Sequence, residues 1–167
     1  ALREALTTTK AKTKIVALAV SQDNGSVQTT FSHATAVGST GIVTPYAPHK
    51  MGSVWSFPTS IWTQRGQIKS ISSDIANLNS KHETYFRIDF RYDPSTVNIF
   101  PAKDVLERTP STDRFKGRTV IVGTTDKTQN DIYFMPGWDK RPGVLFHVLG
   151  AETLKNGIPL EWGWMPF

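Results

Sequence analysis

The longest uninterrupted apolar run in this chain is IVALAV, Ile15 to Val20, which is strand-sized. A helix needs about 18 to 20 consecutive apolar residues to cross a bilayer, so no segment of this sequence is expected to span a membrane. The core has to be assembled from short elements that each bury one face. With 167 residues and 38% hydrophobic content, the chain can do this as one domain without covalent staples.

Composition narrows the chemistry. Cysteine is absent, which removes disulfides, thiolate metal sites and a cysteine nucleophile together. Nineteen basic against fourteen acidic residues give a net charge of +5 and a pI near 9.6, a balance that favours an anionic partner. The basic residues are scattered, however, and the nearest approaches to clusters, TKAKTK at 9–14 and Lys140-Arg141, carry no interleaved aromatics. A nucleic-acid face would need them, so nucleic acid is not an expected partner.

Along the chain, residues 1–10 read as a helix, with Leu2 and Leu6 four apart. KIVALAVSQDNGSVQTTFSH then predicts two strands around Asn24-Gly25, a dipeptide that tolerates the positive φ of a tight hairpin turn. That turn also accounts for the glycosylation-like Asn24-Gly25-Ser26. Residues 34–66 are rich in Gly, Pro, Ser and Thr and read as loops between short strands, with a turn at Arg65-Gly66. Ile68, Ile71, Ile75 and Leu78 are spaced three and four apart, which predicts a helix over 68–78. TYFRIDFRY predicts a strand with Tyr85, Arg87, Asp89 and Arg91 on one side and Phe86, Ile88, Phe90 and Tyr92 on the other.

Pro101 suits the first turn of a short helix, PAKDVLE, because its missing N–H is an orphan donor there anyway. RTVIVG predicts a strand, central and covered on both faces. A helix is expected over 144–156, ended by Gly157. These elements together predict an α/β fold: a layered mixed sheet with antiparallel hairpin strands in the first half and parallel α/β units in the second.

In such a fold, ligands bind beyond the carboxyl ends of strands. Gly123 ends one. Its bare backbone admits close approach, and Thr124, Thr125 and Asp126 supply hydroxyls and a carboxylate. A structural turn at Gly123 is the competing reading. Asp131 closes the loop, and His147 is the one histidine on the last helix. These six residues, Gly123, Thr124, Thr125, Asp126, Asp131 and His147, are the candidate ligand-binding set.

Other chemistries lack their templates. DKTQND fails as a calcium loop, because its sixth position is Asp131 where glycine is required and its twelfth is Gly137 where a glutamate is required. His147 and Glu152 are five apart and do not share a helix face, so they are not HExxH-type ligands. There is no GxGxxG, GxxxxGK[ST] or GxSxG. No metal and no cofactor is expected. Arg91 and Arg118 could clamp an anion, although ion pairs with Asp89 or Asp131 are the plainer fate. A small hydrolase using Asp131 and His147, with Asp126 alongside, is the alternative to a binding domain.

Read together, FKGRTVIVGTT, NDIYFMPG and RPGVLFHVLGAETLKNGIPL resemble the second class of CHASE extracellular sensory domains. The family pattern falls on Phe115, Gly117, Val120 to Gly123, Asp131, Pro142 to Val144 and His147, and the clear resemblance covers 85–160. It implies a single sensory domain over 1–167 that lacks part of the family's N-terminal region, where a strand and helix with an acidic motif are usual. It further implies an extracytoplasmic location at the bacterial inner membrane, and a membrane-anchored parent with a histidine kinase or nucleotide or diguanylate cyclase as output. The partner would be a small-molecule ligand or a periplasmic protein, with homodimerisation possible, and the domain itself would not be an enzyme. The C-terminal PLEWGWMPF agrees independently, since Trp162 and Trp164 favour a bilayer interface.

Overall fold

The computed structural model describes residues 14–21, 27–29, 39–43, 55–63, 66–79, 84–107, 115–123 and 131–158. Residues 1–10, expected as a helix, lie outside them. The described strands fall into four small sheets. In the largest, β1 (Lys14–Ser21) is flanked by β2 (Val27–Thr29) and β3 (Ser39–Val43). β2 is antiparallel to β1 with Ser21 opposite Val27, as expected of the two strands, whereas the Asn24-Gly25 turn itself lies outside the described residues. β3 runs parallel to β1 over Val16 to Val20. β8 (Thr119–Ile121) is also parallel to β1, pairing with Lys14 to Val16. Because β1 pairs with β3 at residues 16 to 20, β2 and β8 must share its other edge.

That arrangement corrects the placement of RTVIVG. Thr119 is exposed and Val120 and Ile121 are only half-buried, and the sole partner of β8 among the described residues is β1. Branched residues favour extended backbone wherever it lies, so their density marked a strand and not its centrality. The parallel pairing reaches back to the first half of the chain. The second half contributes an antiparallel pair instead, β9 (Ile132–Phe134) with β10 (Lys140–Pro142).

The remaining pairs are antiparallel. β4 (Ser56–Pro58) pairs with β7 (Tyr85–Arg87), and β5 (Ser60–Thr63) with β6 (Gly66–Lys69). Here the predicted helix over 68–78 is shortened. Ile68 belongs to β6 opposite Ile61, and α1 covers only Ile71–Ile75. The Ser70 hydroxyl caps α1 by accepting from the Ser73 N–H at 3.3 Å. Asn77, at φ +56, ends it, and the Leu78 N–H reaches back to the Ser73 carbonyl at 2.9 Å. The expected helix at PAKDVLE is α2 (Ala102–Glu107), with the Val105 N–H bonded to the Pro101 carbonyl at 3.2 Å. A 3₁₀ turn, Pro94–Thr96, is capped by Asp93.

α3 (Gly143–Asn156) ends at Gly157, whose φ of +93° an L-residue rarely adopts. It lies between two apolar clusters. Leu145, Phe146 and Leu149 pack with Phe57, Phe86, Ile88 and Met135, whereas Ala151 packs with Ile71 and Ile75 of α1, and Ile121 of β8 joins them. A fully buried side chain such as Phe146, 1% exposed, contributes about 1.5–3 kcal/mol relative to an exposed one. α1 in turn lies against β1 and β3. The contact between α1 and α3 is close because Gly150 has no side chain: a Cβ there would meet the Ser72 hydroxyl at 2.7 Å.

Candidate functional site

Gly123 is exposed, two residues beyond Ile121 at the carboxyl end of β8. Thr124, Thr125 and Asp126 lie outside the described residues. The chain is described again from Asp131, and there it meets α3. Pro142, at the N-cap of α3, makes no side-chain capping bond. Asp131 occupies that end of the helix instead. Its carbonyl accepts from the Gly143 N–H at 2.9 Å, and its carboxylate fills the space a side chain on Gly143 would need, with Cγ only 2.8 Å from the position of a Cβ.

The carboxylate is half-buried. Burial pushes its pKa up from 3.8, and a hydrogen bond from the Tyr133 hydroxyl opposes that shift. Burial, together with the Asp131 charge and the shared hydrogen bond, raises Tyr133 in turn. The Tyr133 ring meets Phe146 edge-on at 6.0 Å, Phe146 meets Phe90 at 6.1 Å, and Phe90 meets Trp55 at 6.0 Å. An aromatic chain thus runs from the Asp131 carboxylate through α3 to Trp55. The Trp138 indole N–H, donating to the Phe90 carbonyl at 3.1 Å, ties the β9–β10 connection to the same chain.

His147 lies one turn along α3 from Gly143 and is 5% exposed. Its ring stacks on Phe57, with centroids 4.7 Å apart and an interplanar angle of 13°. Its carbonyl accepts from the Ser72 hydroxyl at 3.0 Å, and its Nδ1 has no hydrogen-bond partner among the described residues. Burial lowers the imidazole pKa from 6.5 to about 4, so the ring is neutral at ordinary pH. Asp131 and His147 both bear on the first turns of α3, yet no hydrogen bond joins them among the described residues. Ser72 donates to a carbonyl and not to an imidazole nitrogen, so the two do not form a nucleophile and base pair.

The expected pairing of Arg91 is present. Its guanidinium binds the Asp89 carboxylate through Nε at 2.9 Å and Nη2 at 2.7 Å, and holds that carboxyl below its ordinary range. Asp89 is further placed by its own N–H, which donates at 2.9 Å to Thr153 Oγ1 on α3. Among the described residues no group of three or more His, Asp or Glu could hold a metal. A shallow surface recess of about 400 Å³ is lined by Phe134, Gly137, Trp138, Asp139 and Arg141, and by none of the six candidate residues.

Ser72, Tyr133, Gly150 and Thr153 did not come forward from the sequence, and Gly143 did so only as part of the family pattern. A signal existed for two of them, since Gly143 and Gly150 are seven apart and so share a face of α3.

A family model, the CHASE2 domain, matches residues 2–166. The chain belongs to the CHASE2 domain family. CHASE2 domains are extracellular sensory domains and not catalytic ones, which indicates an extracytoplasmic location. The match is broader than the resemblance over 85–160 and takes in residues 34–66. No curated protein and no solved structure matches this CHASE2 chain. No helix among its described residues is long and apolar enough to cross a membrane.

Proposed function

We propose that this CHASE2 domain is the extracytoplasmic input module of a membrane-bound bacterial signalling protein. It binds a small ligand or a periplasmic partner at the loop beyond β8, through Gly123, Thr124, Thr125 and Asp126. The change passes through α3 to membrane helices and on to a kinase or cyclase output domain. One observation supports this reading: Asp131, which follows the 124–130 segment, is bonded to the first residue of α3. A ligand that draws the loop toward itself acts on the helix through that bond. Such a ligand shifts the domain only by its differential affinity for two arrangements. Trp162, Trp164 and Phe167 would then sit at the bilayer interface, and a homodimer is the natural assembly for relaying the change.

A thermal-shift screen of polar small molecules tests the reading. A ligand present at about 100 times its Kd stabilises the folded state by about 2.7 kcal/mol, and Asp126→Ala should abolish the shift. If no molecule raises the melting temperature, and the chain is monomeric and captures no periplasmic partner, the reading fails.

A further inference from the structure

α3 carries a titratable group buried in the core. The His147 imidazole is enclosed, stacked flat on Phe57, and its Nδ1 has no partner among the described residues. Most buried polar side-chain atoms are hydrogen-bonded, so an orphan in the middle of a core calls for an explanation. Its backbone is held as firmly as its ring is left alone. Ser72 donates to the His147 carbonyl, and three residues on, Gly150 packs directly on Ser72.

We propose that His147 is an acid-responsive pin: while neutral it locks α3 against β4 and α1, and when it takes up a proton the charge cannot stay in its apolar slot, so α3 loosens. The inference deepens the reading of this chain as a sensory domain, on which it rests, by naming the proton as one stimulus.

The groups that face the ring do not compensate a charge. β4 presents Phe57 to the ring, and Ser72 of α1 donates its hydroxyl to the His147 backbone carbonyl and not to the imidazole. None of the charged groups on the packed elements, Asp74 of α1, Arg87 of β7, Asp89, Asp131 or Glu152 of α3, acts on the imidazole; burial alone shifts it. An uncompensated buried charge is costly, and the protein escapes it by staying neutral or by opening.

The direction of the pH effect follows. In the unfolded chain a histidine takes its proton near 6.5, whereas the folded ring holds off until about 4. Between those values the unfolded state carries a proton that the folded state lacks. The contribution of His147 is therefore complete above pH 6.5, declines as pH falls, and levels off below about 4. The decline approaches tenfold in the folding equilibrium per pH unit. Asp131, with its raised pKa, works in the opposite sense, so the comparison must be made within variants of His147.

Two measurements on this chain decide the matter. First, imidazole resonances are followed by NMR from pH 7.5 to 4. The His147 ring should remain neutral to below pH 5, and the α3 amides of residues 147–153 should lose hydrogen-exchange protection as it titrates. A His147 resonance that titrates near 6.5, or full α3 protection once the ring is charged, overturns the proposal. Second, His147→Phe keeps the stack on Phe57 and removes the proton. Its melting temperature should fall less than that of the unmodified chain between pH 6.5 and 4, and an identical fall overturns the proposal. If the variant does not fold, the NMR titration of the unmodified chain still decides. Neither result touches ligand binding at neutral pH, so failure here leaves the screen for a loop ligand as a separate test.

Discussion

Asp131 and Gly143 meet twice, once through the backbone, where the Gly143 N–H donates to the Asp131 carbonyl at 2.9 Å, and once where the Asp131 carboxylate covers the bare Cα of the glycine. The second contact exists only because residue 143 has no side chain. Gly143→Ala should therefore displace the carboxylate and cost about 1–3 kcal/mol in urea denaturation, the usual range for overpacking. Asp131→Ala in the same chain should recover part of that loss. Strict additivity in the double-mutant cycle would show that the two residues are not coupled.

Thr153 joins α3 to the segment after β7. Its hydroxyl accepts from the Asp89 N–H at 2.9 Å and donates to the Leu149 carbonyl at 2.8 Å, and the residue is fully enclosed. Thr153→Val keeps the shape and orphans a backbone donor, which should cost about 1–3 kcal/mol. Thr153→Ser keeps the hydroxyl and should lose no more than about 0.8 kcal/mol, one buried methyl. Equal losses in the two variants, measured by chemical denaturation, would show that the hydroxyl contributes nothing.

Among the described residues, two aspartates have lowered pKa values and contribute to the acid limb. Asp89 is lowered by Arg91, and Asp93 by the Ser95 hydroxyl and N–H. Both contribute stability above their ordinary 3.8 that is lost as pH falls through the lower folded values. Melting temperatures taken from pH 5 to 2 should fall, and Asp89→Asn should make that fall shallower. Because Arg91 is 86% exposed, molar salt should shrink the difference between the two chains.

The parts of the fold legible in the sequence were those governed by neighbours along the chain. Gly157 ended α3 where a positive φ is needed, Pro101 opened α2, and β1 and β2 pair antiparallel on either side of Asn24-Gly25. The helix expected over 68–78 shows how a local pattern misleads. Ile68 stands three before Ile71, as a helix requires, but it pairs across a hairpin with Ile61. The better signals were Ser70 as a cap and Asn77 as a stop, which bracket the single turn that forms.

The candidate site was legible as residue types but not as contacts. Asp131 and His147 came forward from the sequence, one as the end of a polar loop and one as a solitary helical histidine. Their roles depend on Gly143, Phe57 and Ser72, and the last two are 90 and 75 residues from His147. Separations of that size leave no trace in spacing. Tyr85 and Arg87, exposed on either side of buried Phe86, were readable because strand geometry turns every second residue outward, but the strand ends at Arg87, and Asp89, expected on the same outward side, is buried with its N–H on Thr153.

Ser72 sits like a wedge between His147 and Gly150, hydrogen-bonded to one and pressed against the other. Axial slippage of one helix past its neighbour would have to lift that wedge out, because each residue of travel moves the backbone about 1.5 Å. The easier motion is for both helices to travel as one rigid lever, so a push on either would be felt at the far end of the pair.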